Sequence, residues 1–182
     1  MGSSSDQALS KFLSFALRHR PDAVGLVLDT GGWAEVDDVL RAARDRGYDV
    51  DRERLARLVR ESDKQRFAID GDRIRANQGH SIDVDLGLAP LDPPGALYHG
   101  TARRVLNAIL SGGLRRQSRH HVHLSADAAT ARAVGARHGH PVVLVVDAGR
   151  MATDGHVFFR SANGVWLTDH VPPQYLTTAE RR

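Results

Sequence analysis

The sequence predicts an α+β chain built from two small units, and three observations lead to that prediction. Residues 1–80 carry helical periodicity that closes on a hairpin signal, a stretch rich in Gly, Pro, Asp and Asn follows, and beyond residue 95 the texture changes to short strand-like segments. A length of 182 residues accommodates either one large domain or two small ones, so the division rests on this change of texture. The expected organisation is a first unit at 1–80, a linker at 81–95 and a second unit at 96–182.

In the first unit Leu9, Phe12, Leu13, Ala16 and Leu17 recur at helical spacing, and Pro21 stops the helix because its ring disfavours helical backbone at Arg20. Arg18 and His19 fall in or just past the last turn. Cations complement the helix dipole there, which is their ordinary structural explanation. A second helix is expected at about 36–46, with Val36, Val39, Leu40 and Ala43 on one face and Gly47 as its stop. A third follows Asp51, a good N-cap, and runs through Leu55, Leu58 and Val59 to about Ser62. Residues 65–69 and 72–75 then alternate polar and apolar around Asp70-Gly71, a two-residue hairpin signal. Three helices and a hairpin make a winged helix, a module that binds nucleic acid in some proteins and other proteins in the rest.

The second unit reads as a small α+β domain. Strands are expected at 96–99, 121–124, 141–146, 157–159 and 164–167, interrupted by helices at about 102–111 and 127–137, the latter capped by Ser125 or Asp127.

Composition excludes more than it identifies. Hydrophobic residues are 41% and charged residues 26%, so the chain has the apolar content to fold. No run approaches the roughly 18 to 20 apolar residues of a membrane span, and the start lacks the basic and apolar regions of a secretory signal, so a soluble cytoplasmic protein is expected. Zero Cys removes disulfides, thiolate metal sites and cysteine nucleophiles together. Of 25 cations only Lys11 and Lys64 are lysine, a bias that a GC-rich genome would produce at every surface position. Residues 1–80 hold 14 Lys/Arg against 14 Asp/Glu and residues 81–182 hold 11 against 8, so neither half is a basic nucleic-acid arm.

Six of the ten histidines lie between residues 99 and 140, yet no HExxH motif occurs and no carboxylate accompanies His120, His121 and His123, so no metal site is expected. Neither GxGxxG nor GxxxxGK[ST] is present. What remains is a set of short combinations: Tyr98-His99-Gly100-Thr101 at the end of a strand entering a helix, Arg115 to Ser125 with basic groups against a strand, Gly135 to Gly139 closing a helix, and Ser161-Ala162-Asn163-Gly164-Val165-Trp166-Leu167 as a turn feeding a strand. Singly each has a structural explanation in a surface arginine, a strand histidine or a turn glycine.

Together, and in this order after a winged helix, they resemble the RNA 2′-phosphotransferases (tRNA 2′-phosphotransferases). The likeness is carried by Leu17-Arg18-His19-Arg20-Pro21, Gly32-Trp33, Lys64-Gln65-Arg66-Phe67, Tyr98-His99-Gly100-Thr101, Arg119 with His121-Val122-His123-Leu124-Ser125, Gly135 to Gly139, and Asn163 to Leu167 with Val171-Pro172-Pro173. It implies an N-terminal winged-helix RNA lobe followed by a C-terminal ADP-ribosyltransferase-like lobe that binds NAD⁺. The implied reaction has two steps. An internal RNA 2′-phosphate displaces nicotinamide to give a 2′-phospho-ADP-ribosylated RNA, and the ribose 2″-hydroxyl then releases 2′-OH RNA and ADP-ribose 1″,2″-cyclic phosphate.

The resemblance also implies residue roles. Arg18, His19, Arg66 and Arg119 would serve the phosphate, with Lys64 as an auxiliary cation. His99, Gly100, Thr101, His123, Ser125, Gly135, Arg137, Asn163, Gly164 and Val165 would line the NAD⁺ pocket. Physical chemistry suits the first set: a phosphomonoester carries about −1.5 to −2 charges near neutrality, and guanidinium forks bind its oxygens bidentately without titrating. His19 alone in that set titrates near neutral pH and is the candidate for proton transfer. The Asn163-Gly164-Val165 segment offers no carboxylate, where protein-modifying relatives of the superfamily commonly place a catalytic Glu; a phosphate acceptor is already anionic and would be repelled by one. The implied partner is RNA bearing an internal 2′-phosphate, acted on by a monomer with no obligate protein partner and no membrane. Two other readings compete: ADP-ribosylation of terminal 5′-phosphates on RNA or DNA, and a non-enzymatic winged-helix regulator. The regulator should show a more basic third helix than Arg52, Arg54, Arg57 and Arg60 set against Asp51, Glu53, Glu61 and Asp63.

Overall fold

The computed structural model describes residues 2–62 and 64–179, with backbone alone for residues 2–4; Asp63 and residues 180–182 of the expected second unit lie outside the described residues. The architecture is α+β, and the chain divides into two compact units, Met1–Gly87 and Leu88–Arg182.

In the first unit α1 (Gly2–Arg18) buries Leu9, Phe12, Leu13, Ala16 and Leu17, the apolar set of its sequence period. A short strand β1 (Trp33–Glu35) leads into α2 (Val36–Arg44), and α3 (Arg52–Arg60) starts at Asp51, whose side chain accepts from the Arg54 N–H at 2.7 Å. Gly47 follows α2 in the left-handed region, at φ 82°, and its N–H bonds the Arg44 carbonyl at 2.8 Å. Strands β2 (Phe67–Asp70) and β3 (Arg73–Ala76) form the hairpin, with Asp70 opposite Arg73. Strand β1 joins them in the antiparallel order β1-β3-β2, which periodicity did not foresee because three residues carry no detectable alternation.

The stretch expected as a linker is partly structural. Val84 is buried, Ser81 N–H bonds the Arg18 carbonyl at 2.9 Å, and Asp85 N–H bonds the Thr30 carbonyl at 2.8 Å. Residues up to 87 therefore belong with the first unit. Residues from 88 belong with the second, where Leu91 N–H reaches the Phe158 carbonyl at 2.9 Å.

In the second unit β4 (Leu97–Ala102) is followed by a 3₁₀ turn at Arg103–Val105 and by α4 (Leu106–Gly112). The strand is longer than expected, and Thr101 lies on it instead of entering a helix, because pairing with β7 (Pro141–Val146) continues to Ala102 opposite Pro141. Between them come β5 (Leu114–Arg115), β6 (Val122–Leu124) and α5 (Ala128–Gly135). Asp127 caps α5, accepting from the Thr130 N–H at 2.7 Å and its hydroxyl at 2.8 Å. Then follow α6 (Ala148–Thr153), β8 (Phe158–Arg160), β9 (Trp166–Thr168), β10 (His170–Val171) and β11 (Leu176–Thr178). These strands make two three-stranded antiparallel sheets, β11-β7-β4 and β6-β9-β8, and a two-stranded β10-β5 pair. A bridge between Tyr98 and Ser125 ties β4 to the end of β6. The core holds Leu97, Leu124, Leu144, Met151 and Phe158, each fully buried and each stabilising by about 1.5–3 kcal/mol. No helix among the described residues is long and apolar enough to cross a membrane.

Candidate functional site

The candidate residues of the first unit gather at the C-terminal end of α1. Arg18 is its last residue, and its Nη2 donates to the Arg66 carbonyl at 3.3 Å while the guanidinium lies 5.7 Å from the centre of the Phe67 ring. The same Arg66 carbonyl accepts from the Asn77 N–H at 2.9 Å. Gln65, just before it, sits in the left-handed region at φ 40°. Its side-chain amide donates to the Arg60 and Ser62 carbonyls at 3.1 and 2.8 Å, and the Asn77 amide donates to the Gln65 carbonyl at 2.6 Å. These bonds make a tight turn that brings Arg66 to Arg18.

His19 follows the helix, and its Nδ1 lies 2.9 Å from the Ser81 hydroxyl. Ser81 is thus bonded twice to the α1 terminus, once to the Arg18 carbonyl and once to His19. Sequence reasoning passed over this serine because a lone Ser in a polar stretch carries no signal. Lys64 and Arg66 line one cleft of about 440 Å³ together with Ser10, Arg57 and Glu61. The other cations of α3 are engaged in ion pairs: Arg52 with Asp37 at 2.9 Å and Asp72 at 2.5 Å, Arg54 with Asp6 at 2.7 Å, and Arg60 with Glu61 at 3.8 Å. Such a helix is poorly suited to reading DNA, which needs cations available to backbone phosphates.

In the second unit the candidate residues collect where β4 meets β6. His99 is half-buried, and its Nδ1 is 3.0 Å from the His123 carbonyl. A carbonyl only accepts, so the proton of neutral His99 is on Nδ1 and the lone pair on Nε2. Burial, first, holds the His99 imidazolium below the ordinary histidine range; the His123 carbonyl opposes this, and the charges of Arg119 and His138 add to it. Arg119 Nη1 is 3.0 Å from His123 Nδ1. Arginine only donates, so His123 carries its lone pair on Nδ1 and its proton on Nε2. Arg119, His123 and His99 therefore form one hydrogen-bonded series.

Ser125 exchanges backbone bonds with Tyr98, at 2.7 and 2.9 Å, and lies one residue beyond the Leu124–Trp166 pair of β6 and β9. That register brings Ser125 beside Val165, the last residue of the turn between β8 and β9. The turn is self-bonded: the Ser161 hydroxyl is 2.7 Å from Asn163 Oδ1 and accepts from the Val165 N–H at 3.1 Å, and Gly164 takes φ 81°.

Gly100 and Gly135 serve packing. A Cβ on Gly100 would strike the Ala131 carbonyl of α5 and come within 2.8 Å of the Gly135 nitrogen, and one on Gly135 would meet Thr101 N and O at 2.9 Å. These glycines let α5 lie directly on β4, where Thr101 is buried. Arg137 is exposed in the 3₁₀ turn Ala136–His138. His121 packs against Phe159 at 5.5 Å between ring centres, and burial lowers its basicity, with His120 and Arg116 adding to this and Asp169 opposing. Among the described residues no group of three or more His, Asp or Glu side chains is placed to hold a metal ion.

The candidate residues of both sets pair guanidinium with imidazole, and Asp6 and Glu61 also line the cleft of Lys64 and Arg66. Such a donor set suits a protein that binds anions. Comparison with known proteins gives this class its family. A family model described as RNA 2′-phosphotransferase, Tpt1/KptA family, matches residues 4–170. The chain is 58% identical over 174 residues to a "Probable RNA 2′-phosphotransferase" of Agrobacterium fabrum, covering 94% of each chain. It is 54% identical over 177 residues to one of Streptomyces griseus, covering 92% of this chain and 94% of that one. It is 52% identical over 176 residues to one of Acaryochloris marina, covering 96% and 97%. The chain belongs to the RNA 2′-phosphotransferase, Tpt1/KptA family.

Proposed function

We propose that this chain is an NAD⁺-dependent RNA 2′-phosphotransferase, with a winged-helix RNA lobe in its first unit and an ADP-ribosyltransferase-like lobe in its second. The observation that carries the reading is the bonded series Arg119–His123–His99, which sets a guanidinium beside imidazole. The donor set fits NAD⁺. A neutral His99 does not repel the cationic nicotinamide ring, its Nε2 can accept from a ribose hydroxyl, and Thr101 adds a hydroxyl on the same strand. Ser125, Arg137 and the Asn163-Gly164-Val165 turn complete the pocket in this reading, while Gly100 and Gly135 let α5 pack on the β4 strand that carries His99 and Thr101.

Bound NAD⁺ would supply a ribose carbon that accepts the 2′-phosphate as nicotinamide leaves. The chain's own residues then have defined tasks. Arg18, Arg66 and Arg119 hold the phosphate oxygens and offset the charge that builds at phosphorus, with Lys64 adding to the field. His19, oriented by Ser81, exchanges a proton with the 2″-hydroxyl or the departing RNA 2′-oxygen. The absence of a carboxylate at 163–165 spares the anionic acceptor from repulsion. The protein acts on RNA as a cytoplasmic monomer.

The test is mass spectrometry of products from NAD⁺ and an oligonucleotide with one internal 2′-phosphate. We expect loss of the 2′-phosphate, with nicotinamide and the cyclic phosphate formed only when both substrates are present. An oligonucleotide that keeps its phosphate overturns the reading.

A further inference from the structure

We propose that His123 is a positioning residue for Arg119. This role rests on the reading above, in which Arg119 binds the substrate phosphate. Arg119 lies on an exposed, irregular segment between β5 and β6, where Gln117 takes φ 57° and the Arg119 N–H bonds the Arg116 carbonyl at 3.1 Å. A long side chain on such a segment samples many rotamers, and holding it in place costs side-chain entropy of up to about 2 kcal/mol. His123 is on β6, paired with Leu167 of β9, so its backbone is fixed by the sheet. Its Nδ1 takes one Arg119 N–H at 3.0 Å, which leaves four guanidinium donors for an anion. The sheet thereby lends its rigidity to a residue on a loop, which is how a charged group is preorganised for a transition state.

The two bonds of His123 come from different parts of the residue. Its ring holds Arg119, whereas its backbone carbonyl holds His99. A side-chain substitution therefore removes support from Arg119 and leaves the His99 bond available. A cofactor contact predicts the reverse, a weakened hold on NAD⁺.

The experiment compares wild type, His123→Ala, His123→Asn and Arg119→Ala in single-turnover assays with a 2′-phosphorylated oligonucleotide, with KM for NAD⁺ measured in parallel. His123→Ala is expected to slow phosphate transfer by about 10- to 100-fold, the range for a lost bond to a charged group, while KM for NAD⁺ stays within about twofold. Asn at 123 offers an acceptor oxygen near the Nδ1 position and is expected to recover most of the rate. A raised KM with unchanged turnover, or Asn no better than Ala, overturns the role. An inactive wild type overturns the functional reading and this role with it. If His123→Ala does not fold, ¹⁵N NMR of the wild-type imidazoles decides: a proton on Nε2 and a lone pair on Nδ1 of His123 is expected, and a proton on Nδ1 overturns the proposal.

Discussion

Arg18, His19 and Arg66 make the difference between residue type and residue role concrete. Each has an ordinary explanation by position, yet the Arg66 carbonyl receives both Asn77 N–H and Arg18 Nη2, and Ser81 reaches His19. In the proposed reaction the guanidinium groups matter most when charge builds at phosphorus. Arg119→Ala and Arg18→Ala are therefore expected to slow release of 2′-OH RNA by about 100-fold or more, the scale of a lost transition-state donor, and to let ADP-ribosylated RNA accumulate in a timed product analysis. Loss of NAD⁺ affinity without accumulation counts against those roles. His99 gives a pH prediction. Its folded-state basicity lies below its unfolded value, so above pH 6.5 both states are neutral and its contribution to stability is whole. As pH falls below 6.5 the unfolded state takes up the proton first, and this contribution is lost progressively until the folded pKa is passed. Chemical denaturation at several pH values should show that loss, reduced in a His99→Gln variant. At this scale the residue types were legible from sequence, since guanidinium and imidazole announce anion chemistry. Ser81 and the bond from Arg119 to His123 were not, because hydrogen-bond partners are set by backbone direction.

Element boundaries separate local from distant causes. Helices α1, α2 and α3 lie where periodicity, Pro21, Gly47 and Asp51 put them, because each of those signals acts within one turn of chain. Asp51→Ala removes the cap of α3 and is expected to cost about 1 kcal/mol in urea denaturation. Strand β4 runs past its expected end, and β1, β5, β10 and β11 were not foreseen. They are two or three residues long or depend on a partner far along the chain, as Leu114 depends on Val171. The contact of β4 with α5 shows what such pairing demands. Gly100→Ala would drive a methyl group into the Ala131 carbonyl, and we expect it to destabilise the protein by about 1–3 kcal/mol or more, measured the same way. Ala at Gly25, where φ is 69° but open space surrounds the Cβ position, should cost less, about 1 kcal/mol of backbone strain.

For the whole molecule, net charge says little and its placement says more. A formal charge of +3 hides 25 cations, and the ion pairs of Arg52, Arg54 and Arg60 neutralise much of α3. RNA binding should therefore depend on salt only as a few phosphate contacts require. With three guanidinium contacts the slope of log K against log salt is expected near about −2, measured by titrating a labelled oligonucleotide at several salt concentrations. A slope several times steeper would mean a wider basic surface than the proposed set. Because guanidinium groups carry the charge in this reading, turnover should also persist in excess chelator, followed by nicotinamide release. Sequence by itself determined the α+β class, the helices, the absence of thiol chemistry and the family, since each follows from local pattern, composition or ordered motifs. Tertiary structure alone decided that 81–87 closes the first unit, that Gly100 and Gly135 serve packing, and that Arg119, His123 and His99 form one bonded series. The physical reason is that packing and hydrogen-bond partners depend on contacts between residues far apart in the chain, and a linear pattern carries no register for those.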